Sequence, residues 1–331
     1  MGSVTGTGPV VLEPAALQVV SRRAASPEVY QVPIERGRQL LEEAQSDPSV
    51  ARPLVAEEWI QVHGGPTGVV PVRIVKPAEA TGALPVIFYI RGGGWVFGSA
   101  ITHDRLVREL ATRSHAAVVF PEYDRSPEAR YPVAIEQTYA AALWVMRDGA
   151  EKHLDASRMV VAGDSVGGTM AIALSLMARQ GGDVPLAGQL LFYPATDAAF
   201  DTPSYHEFAT GHGLSREAMM WYWDQYTTDP AARAQITASP LRATIDQLRG
   251  LPPTVLLTAE VDVLRDEGEA FAARLRSAGV PVTATRLLGT IHDFVLFDSL
   301  RDTAATRTAL DIATSFLRRV LGTARWPLDG C

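Results

Sequence analysis

Cysteine is almost absent from this chain: 331 residues hold one, Cys331. A single cysteine permits no intrachain disulfide, so a small disulfide-stapled scaffold is excluded and nothing points to an oxidising compartment. Long hydrophobic runs are also lacking. No stretch approaches the roughly 18 uncharged apolar residues of a membrane span. The opening MGSVTGTGPVVLEPAAL has no basic start leading into an apolar core, which argues against a signal peptide. A cytoplasmic location is the default expectation. Positive charge is short as well, with 30 bases against 37 acids and a formal charge of −7. The bases are nearly all arginine and lie scattered, so nucleic acid and anionic membranes find no basic stripe to bind.

What is present is an ordinary globular composition, 47% hydrophobic and 20% charged, at a length that suits one large α/β domain or two small ones. Residues 14–50 read as helical, with ERGRQLLEEAQ the clearest amphipathic piece. AEEWIQVHG and GVVPVRIVKP flank a Gly-Pro turn and predict an antiparallel hairpin. Apolar runs then recur at helical intervals: LPVIFYI, AAVVFPEY, RMVVAGDS, AGQLLFYP, PTVLLTAEVD and VTATRLLG. Several lack alternation, as expected of strands buried on both faces of a parallel sheet. Amphipathic segments lie between most of them. The alternation predicts a doubly wound, mostly parallel α/β core with helices on both faces. It breaks near Phe200, where no strand-like run appears and REAMMWYWDQY is crowded with aromatics. The expected organisation is therefore N-terminal helices over 1–55, a first core part over 56–199, a helical insertion over 200–245 and a second core part over 246–331.

Open α/β sheets bind ligands beyond the carboxyl ends of their strands, so the residues after each apolar run carry the chemistry. VVAGDSVGGTMAIALSL reads as strand, Gly163-Asp164-Ser165-Val166-Gly167, then helix. This is the nucleophile elbow of α/β-hydrolases, in which a tight turn projects a serine hydroxyl and a helix N-terminus offers N–H groups to an oxyanion. A phosphate loop is the rival, but Thr169 stands where its lysine belongs. A serine nucleophile needs a base. Of seven histidines, only His292 follows a core strand late in the chain. Asp262 follows PTVLLTAE and supplies an acid, although a helix cap would also suit it. Ser165, Asp262 and His292 stand in the α/β-hydrolase order. The glycines of PVIFYIRGGGWVFGS then find a use: the amides of Gly93, Gly94 and Val166 are the candidate oxyanion hole, since glycine lets a substrate reach bare backbone.

GGGWVFGS, SPEARYPVA, GDSVGG, PPTVLLTAEVDVLRDEG and HDF, in this order, resemble the hormone-sensitive-lipase-like esterases, the bacterial family IV carboxylesterases. The resemblance implies an α/β-hydrolase fold with a cap built from the N-terminal helices and the 200–245 insertion. It implies a triad of Ser165, Asp262 and His292, oxyanion donors at Gly93, Gly94 and Val166, no metal or other cofactor, and small short-acyl esters as substrates. Dimers are common in that family, which leaves a homodimer open. Two departures stand out. Arg91 replaces the usual His before the glycines, and Asp124 follows Tyr123 where the family has Arg. Both follow strands, so an Arg91–Asp124 pair is expected to support the loop, unless Arg91 contacts an acidic substrate instead. Trp95, Trp221 and Trp223 are candidates for the substrate pocket, although cap packing suits most of the aromatics equally. Two other functions remain open on the same fold: a natural-product tailoring enzyme that transfers or eliminates an acyl group, and a non-catalytic receptor for a small ligand.

Overall fold

Hydrophobic runs without alternation become the centre of one eight-stranded sheet. The computed structural model describes residues 10–324; Cys331 and the first nine residues, on which part of the signal-peptide reading rests, lie outside the described residues. The chain opens with α1 (Pro14–Ala24) and α2 (Ile34–Ala44), then the hairpin β1 (Val55–His63) and β2 (Val69–Pro77). Next come β3 (Leu84–Ile90), α3 (Asp104–Ser114), β4 (Ala117–Pro121), α4 (Val133–Asp148), β5 (Leu154–Asp164), α5 (Val166–Gly181) and β6 (Gly188–Phe192). The short helices α6 (Pro203–Glu207), α7 (Arg216–Tyr226), α8 (Pro230–Arg233) and α9 (Ile245–Leu248) follow, and β7 (Thr254–Val261), α10 (Arg265–Ser277), β8 (Val282–Ile291) and α11 (Ala304–Leu321) close the described chain.

The sheet order is β1-β2-β4-β3-β5-β6-β7-β8. β1 and β2 are antiparallel, β2 joins β4 antiparallel, and every pairing from β4 to β8 is parallel. This is the mostly parallel α/β architecture that the alternating pattern predicts. The inner strands β3, β4 and β6 are buried almost end to end, which is why their sequences show no polar alternation. From β3 the chain moves to β4 on one side, then crosses to β5 on the other. At such a reversal the carboxyl ends open a crevice. Arg91–Gly94 and Asp164–Ser165 leave β3 and β5 at that point.

Two segments lie over this crevice. One is the stretch between β6 and β7, which holds α6 to α9. The other is N-terminal. Glu13 opens α1 by donating its amide to the Gly289 carbonyl at 2.8 Å and accepting from the amides of Ala304 and Ala305. On α2, Arg38 is buried and forks onto Glu128 at 2.8 and 2.9 Å, while its Nε donates to the Val96 carbonyl at 3.0 Å. Farther along, Gln45 donates to the Leu296 carbonyl at 2.7 Å and accepts from the Asp298 amide. The N-terminal helices are thus tied to both loops that flank the crevice. Among the described residues no helix is long and apolar enough to cross a membrane.

Candidate active site

Ser165 sits between β5 and α5 at φ 53°, ψ −123°, a conformation rare outside glycine. The turn is possible because the residues two before and two after the serine, Gly163 and Gly167, lack side chains. A Cβ on Gly167 would stand 2.1 Å from the Ile90 carbonyl oxygen, so any other residue would push α5 off β3. Ser165 is held by its own amide donating to the Phe192 carbonyl at 2.9 Å. Its Oγ lies 3.0 Å from Nε2 of His292, and Nδ1 of His292 lies 2.7 Å from Oδ2 of Asp262. The other Asp262 oxygen accepts the Leu264 amide at 2.9 Å. The structure therefore brings Ser165, His292 and Asp262 into one hydrogen-bonded chain from the ends of three strands. Burial pushes the His292 pKa down, but the nearby Asp262 and Asp293 carboxylates outweigh it and leave the imidazole pushed up to about 9.

The glycine loop lies beside this chain. Gly93 has φ 103° and Gly94 φ 62°, and a Cβ on Gly94 would stand 2.4 Å from the Tyr222 ring. Among the described residues neither amide donates to a protein acceptor, and the Val166 amide, first in α5, has no intrahelical partner. Gly93 and Gly94 line the chamber at Ser165, and Val166 follows the serine as the first residue of α5.

Asp164, beside the serine, is fully buried and organises the loop from behind. It accepts from the Tyr89 hydroxyl at 2.7 Å and the Gly92 amide at 3.0 Å, with Nε2 of His103 at 3.3 Å. Burial pushes its carboxyl up, but His103 and these donors hold it below its ordinary value. The sequence reading missed His103. Its only sequence signal is a charged residue inside the buried GDSVGG turn, which demands a partner from elsewhere in the chain.

Arg91 does not pair with Asp124. It is wholly buried, and its Nε donates to Glu122 at 2.9 Å, its two Nη atoms to the carbonyls of Phe97 and Tyr123 at 3.0 and 2.9 Å. The guanidinium also lies 3.7 Å from the centre of the Tyr123 ring. Strand register explains the choice. β3 and β4 run parallel with Val86 opposite Ala117 and Phe88 opposite Val119; continued past the strand ends, that register sets Arg91 beside Glu122. Asp124 lies two residues farther on and takes Nε2 of Gln137 at 2.8 Å. Being enclosed, Arg91 is also out of reach of a substrate. It supports the loop, with a different acid.

The crevice contains a narrow chamber of about 60 Å³ that reaches Ser165 and His292, lined by Gly94, Phe97, Leu214, Met219 and Tyr222. A wider chamber of about 500 Å³ opens beside it under α1 and α2. Trp95, Trp221 and Trp223 line neither. Trp95 is buried, stacked on Tyr226 at 4.0 Å and edge-on to Trp223 at 4.9 Å. Trp221 stacks on Phe97 at 6.0 Å, outside the chamber. On a helix, neighbours point about 100° apart, and in α7 it is Tyr222, between the two tryptophans, that faces the serine. Among the described residues no group of three or more His, Cys, Asp or Glu could hold a metal ion.

A family model described as alpha/beta hydrolase fold matches residues 87–296. The chain is similar to a carboxylesterase of Mycobacterium tuberculosis, NlhH, at 36% identity over 87% of this chain and 90% of the relative. It is similar to an ethyl acetate hydrolase of Pseudomonas putida at 34% identity, over 71% of this chain and 70% of the relative. Among solved structures, a thermostable esterase from Pseudomonas putida superposes with a TM-score of 0.90 at 43% identity, covering 95% of this chain and 99% of that one.

Proposed function

This chain belongs to the alpha/beta hydrolase fold family, and on that premise we propose that it is a serine carboxylesterase acting on small esters of short acyl chains. One observation carries the reading: Oγ of Ser165, both nitrogens of His292 and the Asp262 carboxylate form a continuous hydrogen-bonded line at 3.0 and 2.7 Å. In this mechanism His292 Nε2 takes the serine proton as Oγ attacks the ester carbonyl carbon. Negative charge moves to the carbonyl oxygen, where the amides of Gly93, Gly94 and Val166 receive it. The bond to the alcohol oxygen breaks, His292 returns the proton to that oxygen, and an acyl-enzyme remains. Water then repeats the sequence and frees the acid. Asp262 fixes the imidazole tautomer and offsets the charge it acquires.

The narrow chamber beside Ser165 supports a short acyl chain, and the wider one gives the alcohol part its place. The N-terminal helices and the 200–245 insertion together act as the cap that shapes both. A strained serine in contact with an imidazole–carboxylate pair serves chemistry; a receptor for a small ligand has no need of either. Ser165→Ala should lower kcat on 4-nitrophenyl acetate by at least 10³-fold, following the scale of triad deletions. An organophosphate should label Ser165 in the unmodified protein, as read by peptide mass. Labelling of another serine, or near-full turnover in the variant, removes the reading.

A further inference from the structure

Arg23, in the last turn of α1, lines the wide and the narrow chambers alike. Its Cζ lies 4.8 Å from the centre of the Phe297 ring, a shelf that fixes the planar head. Other arginines around the crevice are taken up by acids: Arg38 by Glu35 and Glu128, Arg52 by Asp104 and Asp298, Arg105 by Glu109 and Asp298. Among the described residues Arg23 has no such partner, and its side-chain N–H groups meet no protein acceptor. A basic residue at a helix C-terminus ordinarily offsets the helix dipole. Arg22 serves that end equally, and the dipole does not explain why Arg23 lines the chamber that holds Ser165.

Two acids share its surroundings, and neither is within salt-bridge reach. The Glu28 backbone caps the short turn after it, its carbonyl accepting the Gln31 amide at 2.8 Å, and Asp293 lies 3.5 Å from Nε2 of His292. Burial pushes both carboxyls above their ordinary range, and the nearby Arg23 charge pulls them partly back. The guanidinium itself stays charged at any working pH. An incoming anion thus meets a fixed cation whose two parallel N–H groups are free and match carboxylate geometry.

We propose, resting on the esterase reading above, that Arg23 is a substrate-recognition residue and that the preferred ester carries a carboxylate, gripped by the Arg23 fork while its ester carbonyl lies at Ser165. Arg22, which also lines the wide chamber, adds a second positive charge at its mouth.

Two matched pairs of esters test this. Acetoxyacetate against acetoxyacetamide puts the carboxylate on the alcohol part, and 4-nitrophenyl hydrogen succinate against 4-nitrophenyl succinamate puts it on the acyl part. The wild-type protein should favour the carboxylate member of at least one pair by kcat/KM. In Arg23→Gln that preference should fall at least tenfold, mostly through KM, and Arg23→Lys should restore part of it. A preference for the amide in both pairs, or a ratio unmoved by Arg23→Gln, overturns the assignment. Binding separates this from the esterase chemistry. Ser165→Ala should still bind acetoxyacetate by calorimetry, at least tenfold more tightly than Ser165→Ala with Arg23→Gln. Arg23-dependent binding without turnover in the wild type would sink the esterase reading and keep the carboxylate site. Turnover without Arg23-dependence would do the reverse.

Discussion

His292 is where residue chemistry and pH behaviour meet. In the proposed role of general base it must be neutral to accept a proton, and its imidazole is pushed up to about 9. kcat/KM should therefore rise with pH along a limb centred near 9, not near the ordinary 6.5. Stability runs the other way. A group with a raised folded-state pKa stabilises the fold fully below about 6.5, and that contribution is lost as pH climbs through about 9. The carboxylate of Asp293, 3.5 Å from Nε2, is one cause of the shift. Asp293→Asn should move the activity limb to lower pH by on the order of one unit. A pH–rate profile of both proteins, with chemistry rate-limiting, checks this; an unmoved limb would uncouple Asp293 from the base. Legibility differed from residue to residue. That Ser165, Asp262 and His292 would lie together was legible because each follows a strand run at the sheet's carboxyl edge. Arg91's partner was not, because the choice between Glu122 and Asp124 is made by strand register, and His103 was not, because its acid lies 61 positions away.

Among the elements, α7 shows what periodicity leaves open. REAMMWYWDQY announces a buried aromatic helix, but which ring points at the serine depends on how the helix is rotated against the loop of Trp95 to Phe97. That rotation is a tertiary fact. Trp223 is wholly buried between Trp95, Phe200 and Tyr226, and Tyr222 takes the chamber wall. Tyr222→Ala should widen the narrow chamber and shift preference from acetyl toward butyryl and longer esters. Trp223→Ala should cost about 3–5 kcal/mol of stability while leaving chain-length preference nearly as it was, because its ring does not reach the chamber. Urea unfolding and a 4-nitrophenyl ester series measure the two effects. A preference that follows Trp223 and ignores Tyr222 would mean the acyl chain runs through the other side of α7.

At the scale of the molecule, the β-α alternation was enough to foresee the doubly wound sheet, and its interruption after Phe200 to foresee the inserted helices. The sheet order was not legible, since nothing local says that β2 reaches across to β4 or that the chain reverses at β3. Nor was the unequal attachment of the two N-terminal helices. α2 is built into the core loops: Arg38 is bonded to Val96, Ser126 and Glu128, and Gln45 to Thr102, Leu296 and Asp298. α1 has fewer polar ties, through Glu13 at its start and Arg23 on Phe297 at its end, with the buried Ala16 packed against the core between them. Deleting residues 1–26 removes α1 and one wall of the wide chamber without touching the buried bonds of α2. The truncated protein should still unfold cooperatively in urea. Its chamber, open on the Val19 and Arg23 side, should bind the alcohol part less tightly, so KM should rise for bulky alcohols and discrimination among alcohols should weaken, while the pH limb set by His292 stays in place. A truncated protein that loses cooperative unfolding would show that α1 belongs to the core. One that keeps its full alcohol selectivity would show that α2 and the 293–299 loop shape the chamber without it.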